Sequence, residues 1–213
     1  MSTHAPLIEH LREALRGELP GHDAFLHLSG YKRPDLEAAM KLEPRPRESA
    51  VLALLYPRSG QLHSQLTLRL ECDRGHSGQV AFPGGRREEV DTTIQDTALR
   101  EFTEETGAPT RGFDLLGALT QVYIPPSRSL VTPFLAYAEA LPPTTPDPRE
   151  VAALIETPLD DLLRPDVVQV RRQYIQVMGR EAEIPYFDLQ GQVVWGATAM
   201  MLAELRELLL RFR

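Results

Sequence analysis

The sequence predicts an α+β fold in which a mixed β-sheet is packed between helices as an α/β/α sandwich. Three observations predict it. Short apolar or alternating runs fill residues 50–81, a charged helical segment follows residue 92, and a strongly helical segment closes the chain.

Along the chain, residues 5–17 (APLIEHLREALRG) carry apolar side chains at helical spacing and stop at a glycine, which predicts a first helix. Residues 31–48 are charged and proline-punctuated, and read as a short helix followed by a linker near residue 45. AVLALLYP is a continuous apolar run and LHSQLTLRL alternates, so both read as strands. QVAF reads as a third, stopped by Pro83-Gly84-Gly85. A charged loop from Arg86 to Thr92 leads into a helix ending at Gly107. FDLLGALTQVYI and SLVTPFLAYAEAL are two further strands joined at Pro125-Pro126, and PPTTPDPRE is a proline-rich loop. VAALIETPLDDLLR has helical spacing up to Pro165. VVQVRRQYIQVMG and AEIPYFDLQGQVVWG alternate as a hairpin or meander, and ATAMMLAELRELLLRF reads as an amphipathic final helix. This divides the chain into an N-terminal helical appendage, 1–45, and one domain, 46–213.

Composition narrows the function classes. With 42% hydrophobic and 25% charged residues, the 213-residue chain can bury a substantial core. A net charge of −7 argues against nonspecific nucleic-acid binding, which needs a cationic surface. No apolar run approaches the roughly 20 residues of a membrane span. The first residues lack a basic stretch followed by an apolar core, so no secretory signal is expected. One cysteine, Cys72, rules out an internal disulfide framework, and a cytoplasmic location is expected. Partners of the expected kind are small molecules, with neither nucleic acid nor membrane among them.

The chemistry concentrates in GGRREEVDTTIQDTALREFTEETG, residues 84–107. Each helical residue advances roughly 100°, which places Glu101, Glu104 and Glu105 along one edge beside the apolar stripe of Ile94, Ala98, Leu99 and Phe102. Like charges so close repel, and partial burial raises the cost. A hard divalent cation removes both objections, because Mg²⁺ takes carboxylate oxygens and keeps positions open for phosphate and water. Arg100 reaches Glu104 at i+4. The glycine pair upstream lets backbone come close to a ligand.

The segment resembles the Nudix box, G-x5-E-x7-R-E-U-x-E-E-x-G-U. Gly85, Arg100, Glu101, Phe102, Glu104, Glu105 and Gly107 fit, while Asp91 stands for the first acid with eight residues before Arg100, and Ala108 is smaller than the usual aliphatic. Upstream, LTLRLECDRGHSGQVAFPGG resembles the signature of the coenzyme A pyrophosphatase branch, L-L-T-x-R-[SA]-x3-R-x3-G-x3-F-P-G-G. Thr67, Arg69, Arg74, Gly78, Phe82, Pro83, Gly84 and Gly85 fall on it, with Gln65 and Leu70 departing. That branch carries the longer Asp-containing loop, and WGATA at 195–199 resembles the start of its last helix.

The resemblance implies a Nudix hydrolase domain over 46–213 that cleaves coenzyme A to 3′,5′-ADP and 4′-phosphopantetheine, with Mg²⁺ or Mn²⁺ as cofactor. Glu101, Glu105 and Glu104, with the Gly85 backbone, are the implied metal ligands. Glu104, Glu105, Arg100 and Glu150 are the catalytic candidates, the general base being open between a helix glutamate and Glu150 on a mobile loop. Arg69, Arg74, Gly78, Phe82, Arg86 and Arg87 are the substrate-binding candidates, since guanidinium groups bind phosphate bidentately. Arg86 and Arg87 equally suit a role balancing Glu88 and Glu89. His76 reads as a turn residue as readily as a binding one, and Cys72 as an ordinary thiol. Tyr123 and Phe134 can line a pocket or sit in the core, and Trp195 reads as core. Two other readings stay open: a hydrolase of ADP-ribose, NADH or diadenosine polyphosphate, and a noncatalytic nucleotide-binding module.

Overall fold

The computed structural model describes residues 3–24, 36–70, 79–175 and 178–212. The long strand β1 (Arg47–Arg58) is the spine of the fold. It pairs antiparallel with β2 (Gln61–Arg69) and parallel with β7 (Ser129–Tyr137), from Arg47 opposite Ser129 to Leu55 opposite Tyr137. Alternate side chains leave a strand on opposite faces. Leu52, Leu54 and Tyr56 therefore meet Ala98 and Phe102 of helix α3 (Ile94–Thr106), while Ala53 and Leu55 meet Ile8 and Leu11 of α1 (Ala5–Ala14) and the apolar residues of α4 (Gly196–Phe212). The predicted sandwich is present, with a mixed sheet between α3 on one face and α1 with α4 on the other. A short helix, α2 (Leu36–Met40), packs Ala39 against Tyr123 and Leu130.

The remaining strands complete an eight-stranded sheet. β3 (Val80–Ala81) and β8 (Val151–Pro158) pair with β2, β4 (Gly84–Arg86) with β1, and β5 (Asp114–Ala118) and β6 (Val122–Ile124) with β7. A second sheet is the predicted meander: β9 (Val168–Ile175), β10 (Arg180–Leu189) and β11 (Gln192–Trp195).

Four local expectations change. Residues 151–158 are strand β8, followed by a 3₁₀ turn over Leu159–Leu163, where spacing suggested a helix. Val151, Ile155 and Leu159 satisfy either period, and the antiparallel register with β2, His63 opposite Pro158 through Thr67 opposite Leu154, decides for strand over 151–158. β3 stops before Pro83 as expected, but Gly84 and Gly85 then form a further strand, β4, whose close approach to β1 needs the missing side chain. A Cβ on Gly84 would lie 2.3 Å from the Ala50 carbonyl oxygen. The run at 113–124 splits into β5 and β6. The final helix is enclosed along Thr198–Leu205 instead of being one-sided.

Enclosure brings an acid inside. Glu204, fully buried, accepts from Gly21 N (2.9 Å), Thr120 N (2.8 Å) and Thr120 Oγ1 (2.7 Å), so its carboxylate joins the N-terminal segment, the β5–β6 connection and α4. Glu204→Ala orphans three donors at once. We expect a loss of roughly 3 kcal/mol in urea unfolding, from buried donors left without acceptors.

Candidate active site

Helix α3 begins in a capping box. Thr93 Oγ1 accepts from Asp96 N at 3.2 Å, and the Asp96 carboxylate accepts from Thr93 N at 2.8 Å. It ends on Gly107, whose φ of 70° closes the last turn. The proline-rich loop then docks on that end, with Thr145 N donating to Thr106 O at 2.8 Å and Asp147 N to Glu105 O at 3.1 Å. A side chain on Gly107 would run into the Thr145 carbonyl. The loop expected to be mobile is thus tied to the helix that carries the acids.

Arg100 is the hub. Nε and Nη2 donate to the two oxygens of Asp91 at 2.9 Å each, Nη1 donates to Glu101 at 3.0 Å and Glu104 at 2.9 Å, and Nη2 also reaches the Arg86 carbonyl at 2.9 Å. Asp91 is buried and accepts further from Glu88 N and Thr97 Oγ1, both at 2.9 Å. Hydrogen bonds from Arg100 hold its carboxyl far below the usual carboxylate range. The extra loop residue therefore delivers Asp91 to an anchoring position. Arg87 also turns to this frame, donating to Glu48 at 2.8 Å and to the Thr92 carbonyl at 3.0 Å. It does not line the cavity described below.

Glu105 lies on the buried side of α3, 2% exposed. Arg69 Nη1 donates to its Oε1 at 3.0 Å, and Thr67 Oγ1 is 3.4 Å from its Oε2 and 3.3 Å from the Ala81 carbonyl oxygen. Thr67 has one proton, so it serves one of these acceptors at a time. Thr67 and Arg69 share a face of β2 by strand alternation, which brings both to the same carboxylate. Burial pushes the Glu105 carboxyl up to about 7, with Glu101 and Glu150 adding to the rise, and Arg69 and the Gly84 N–H opposing it. Burial also raises Glu101, against the pull of Arg100. Glu150 is exposed, yet it acts electrostatically on both acids, and its carbonyl accepts from Leu70 N at 3.0 Å.

Gly85 explains how Glu101 fits. A Cβ there would sit 2.4 Å from the Glu101 carboxylate, so the helix acid lies directly against the β4 backbone. Carboxylates and a backbone carbonyl are hard oxygen donors of the kind that suits Mg²⁺ or Mn²⁺. In this arrangement the arginines hold the acids, and among the described residues no three His, Cys, Asp or Glu side chains form a ready-made ligand cluster.

Beside the acids lies a cavity of about 580 Å³. The glutamates do not line it, but Arg69 and Gly85, which touch Glu105 and Glu101, do. Its lining is cationic where β2 and β4 reach it, through Arg69 and Arg86, and uncharged along β6, β7, β9 and α4. Phe82 lines it and is otherwise buried in the core. Trp195 lines it too, which corrects its reading as plain core, whereas Tyr123 and Phe134 are core. Arg74, Gly78, His76 and Cys72 lie outside the described residues. Sequence reasoning placed Thr67 and Thr198 on motifs without naming a contact for either, and read the loop that contains Asp147 as mobile. The same-face spacing of Thr67 and Arg69 was the available signal for the first.

A family model for the NUDIX domain matches residues 46–178. A relative from Pectobacterium atrosepticum, the Nudix hydrolase NudL, is 35% identical over 184 residues, covering 81% of this chain and 89% of its own. The peroxisomal coenzyme A diphosphatase NUDT7 of Mus musculus is 35% identical over 118 residues, covering 55% of this chain and 50% of its own. Among solved structures, the Nudix hydrolase RenU of M. smegmatis shares the fold at a TM-score of 0.55 and 21% identity, over 78% of this chain and 87% of its own.

The two glycines of β4 predict different failures. Gly84→Ala drives Cβ into the β1 backbone and should lower the melting temperature by several degrees, from roughly 1–3 kcal/mol of overpacking. Gly85→Ala meets only the end of the Glu101 side chain, so it should melt near wild type but lose the stabilisation that added Mn²⁺ gives. Asp91→Ala should cost roughly 3 kcal/mol by leaving Arg100 without its partner. Because the folded carboxyl titrates below its unfolded value of about 3.9, that contribution is present above pH 4. The melting difference between Asp91→Ala and wild type should therefore be flat near neutrality and shrink as pH falls through about 4 and below.

Proposed function

The chain belongs to the Nudix hydrolase family, whose members cleave diphosphate linkages, and from that premise we propose that its substrate is coenzyme A. The observation carrying this reading is the cavity, which starts at two arginines beside the carboxylate helix and continues along an uncharged wall. Coenzyme A has that order of chemistry, a diphosphate and 3′-phosphate on one side and a long neutral arm on the other. The likeness to a relative named as a coenzyme A diphosphatase, and the signature residues Thr67, Arg69, Phe82, Gly84 and Gly85, support it.

Glu101, Glu104 and Glu105, with the Gly85 carbonyl, would hold Mg²⁺ or Mn²⁺, which when bound supplies Lewis-acid stabilisation of charge on the diphosphate oxygens. The rest falls to the protein. Arg100 and Asp91 fix the α3 acids, so that little reorganisation is needed at the moment of reaction. Arg69 and Arg86 receive phosphate oxygens, for which the planar guanidinium is matched. The attacking water gives its proton to a carboxylate, assigned in this reading to Glu150 and supported by its exposure and its electrostatic effect on Glu101 and Glu105. Cleavage yields 3′,5′-ADP and 4′-phosphopantetheine.

Turnover of coenzyme A, dephospho-coenzyme A, ADP-ribose, NADH and a diadenosine polyphosphate, each with Mg²⁺ and with Mn²⁺, tests the assignment. Coenzyme A should have the highest kcat/KM, and preference for another substrate in the panel would displace it. In the same assay Glu105→Gln, an isostere, should melt like wild type and lose about a thousandfold in kcat, or roughly 4 kcal/mol.

A further inference from the structure

The arginines that line the cavity have a third cation beside them on the sheet. Ser49 of β1 lies opposite Arg86 of β4 on one side and Val131 of β7 on the other, and all three line the cavity. Residues paired across neighbouring strands share a face of the sheet, and so do residues two apart along a strand. Arg47 therefore leaves β1 on the face of Ser49 and Arg86. It is the diagonal neighbour of Arg86, a relation that sets Cα atoms roughly 7–8 Å apart. Its own partner in β7 is Ser129, another residue of the lining. Arg47 is exposed, so it stands where this row passes from the cavity to solvent.

The guanidinium of Arg47 has no ion pair or hydrogen bond among the described residues. Glu48, its neighbour in sequence, leaves on the opposite face and pairs with Arg87 at 2.8 Å. Arg128, whose carbonyl accepts from Arg47 N at 2.8 Å, gives its own guanidinium to the Pro44 carbonyl. Arg47 and Arg86 thus share one face with a serine between them in the register, and like charges so placed oppose each other. An anion held by both removes that cost, and the planar guanidinium is matched to phosphate.

Position separates this anion from the diphosphate. Gly85, next to Arg86, touches the Glu101 carboxylate, whereas Arg47 lies beyond Arg86 on the solvent side. The offset between the two arginines is about the span of a ribose. We propose that Arg47, with the Ser49 hydroxyl beside it, receives a phosphomonoester on the ribose of the substrate, which in coenzyme A is the 3′-phosphate. The inference deepens the coenzyme A reading and rests on it for the identity of the nucleotide. It makes Arg47 the residue that distinguishes substrates with the extra phosphate from those without it.

Hydrolysis of coenzyme A and dephospho-coenzyme A, and calorimetric titration with 3′,5′-ADP and 5′-AMP, all with Mg²⁺, test it. Wild type should favour the ligand with the extra phosphate in both pairs. Arg47→Gln should lower the ratio of kcat/KM for coenzyme A over dephospho-coenzyme A by about tenfold, the scale of one hydrogen bond to a charged group. The affinity ratio of 3′,5′-ADP over 5′-AMP should fall by the same factor, and Arg47→Lys should keep more of both ratios than Arg47→Gln. Wild-type ratios in Arg47→Gln overturn the subsite. So does a wild-type protein that hydrolyses coenzyme A and dephospho-coenzyme A equally well, which leaves the diphosphatase reading standing. A wild-type protein that hydrolyses neither, yet prefers 3′,5′-ADP to 5′-AMP and loses that preference in Arg47→Gln, upholds the subsite and removes the substrate assignment.

Discussion

Arg100 sits between two demands that conflict on a single helix. Three glutamates must occupy one edge of α3, close to the apolar stripe, where mutual repulsion and burial both disfavour them. One guanidinium binds two of those acids and is itself held from behind by the buried Asp91. Asp91 in turn fixes the loop through Glu88 N and the helix through Thr97. The capping box, the β4 glycines and Arg87 all assemble around this pairing, so the carboxylate edge is built before any ligand arrives.

The second carboxylate problem is solved differently. Glu105 is buried and pairs with Arg69, and its burial pushes the carboxyl up to about 7. Along one helix, Glu101 and Glu104 share an arginine from their own turn, whereas Glu105 borrows one from a strand. The helix acids thus have distinct environments within five residues, although in sequence they look interchangeable.

Most of this was legible where local chemistry decides. The strand–loop–helix order, the α3 boundaries and the meander follow from period, capping and glycine placement. The failures come where tertiary pairing decides. β8 has a pattern that fits helix and strand alike, and only its register with β2 resolves it. The acidic position in α4 looks like a solvated face until Gly21 and Thr120 are brought to it from segments 183 and 84 residues away. Arg87 and Arg86 are adjacent in sequence and chemically alike, and strand direction sends one to Glu48 and leaves the other on the cavity. No local pattern distinguishes them. Trp195 and Thr198 were visible as part of a resemblance, but their place in the cavity depends on how α4 meets the sheet.

The enclosure of α4 bears on what counts as the unit of this protein. The family match covers residues 46–178 and stops before α4, yet Met200, Leu202, Leu205, Leu208 and Leu209 share one continuous core with Leu55 and Leu66. Glu204 fastens that helix to a residue near the other terminus. What the family model matches and what must fold together are therefore two different lengths of chain. The family model marks a segment that recurs across the family, and the interior that this segment needs reaches beyond it into α1 and α4.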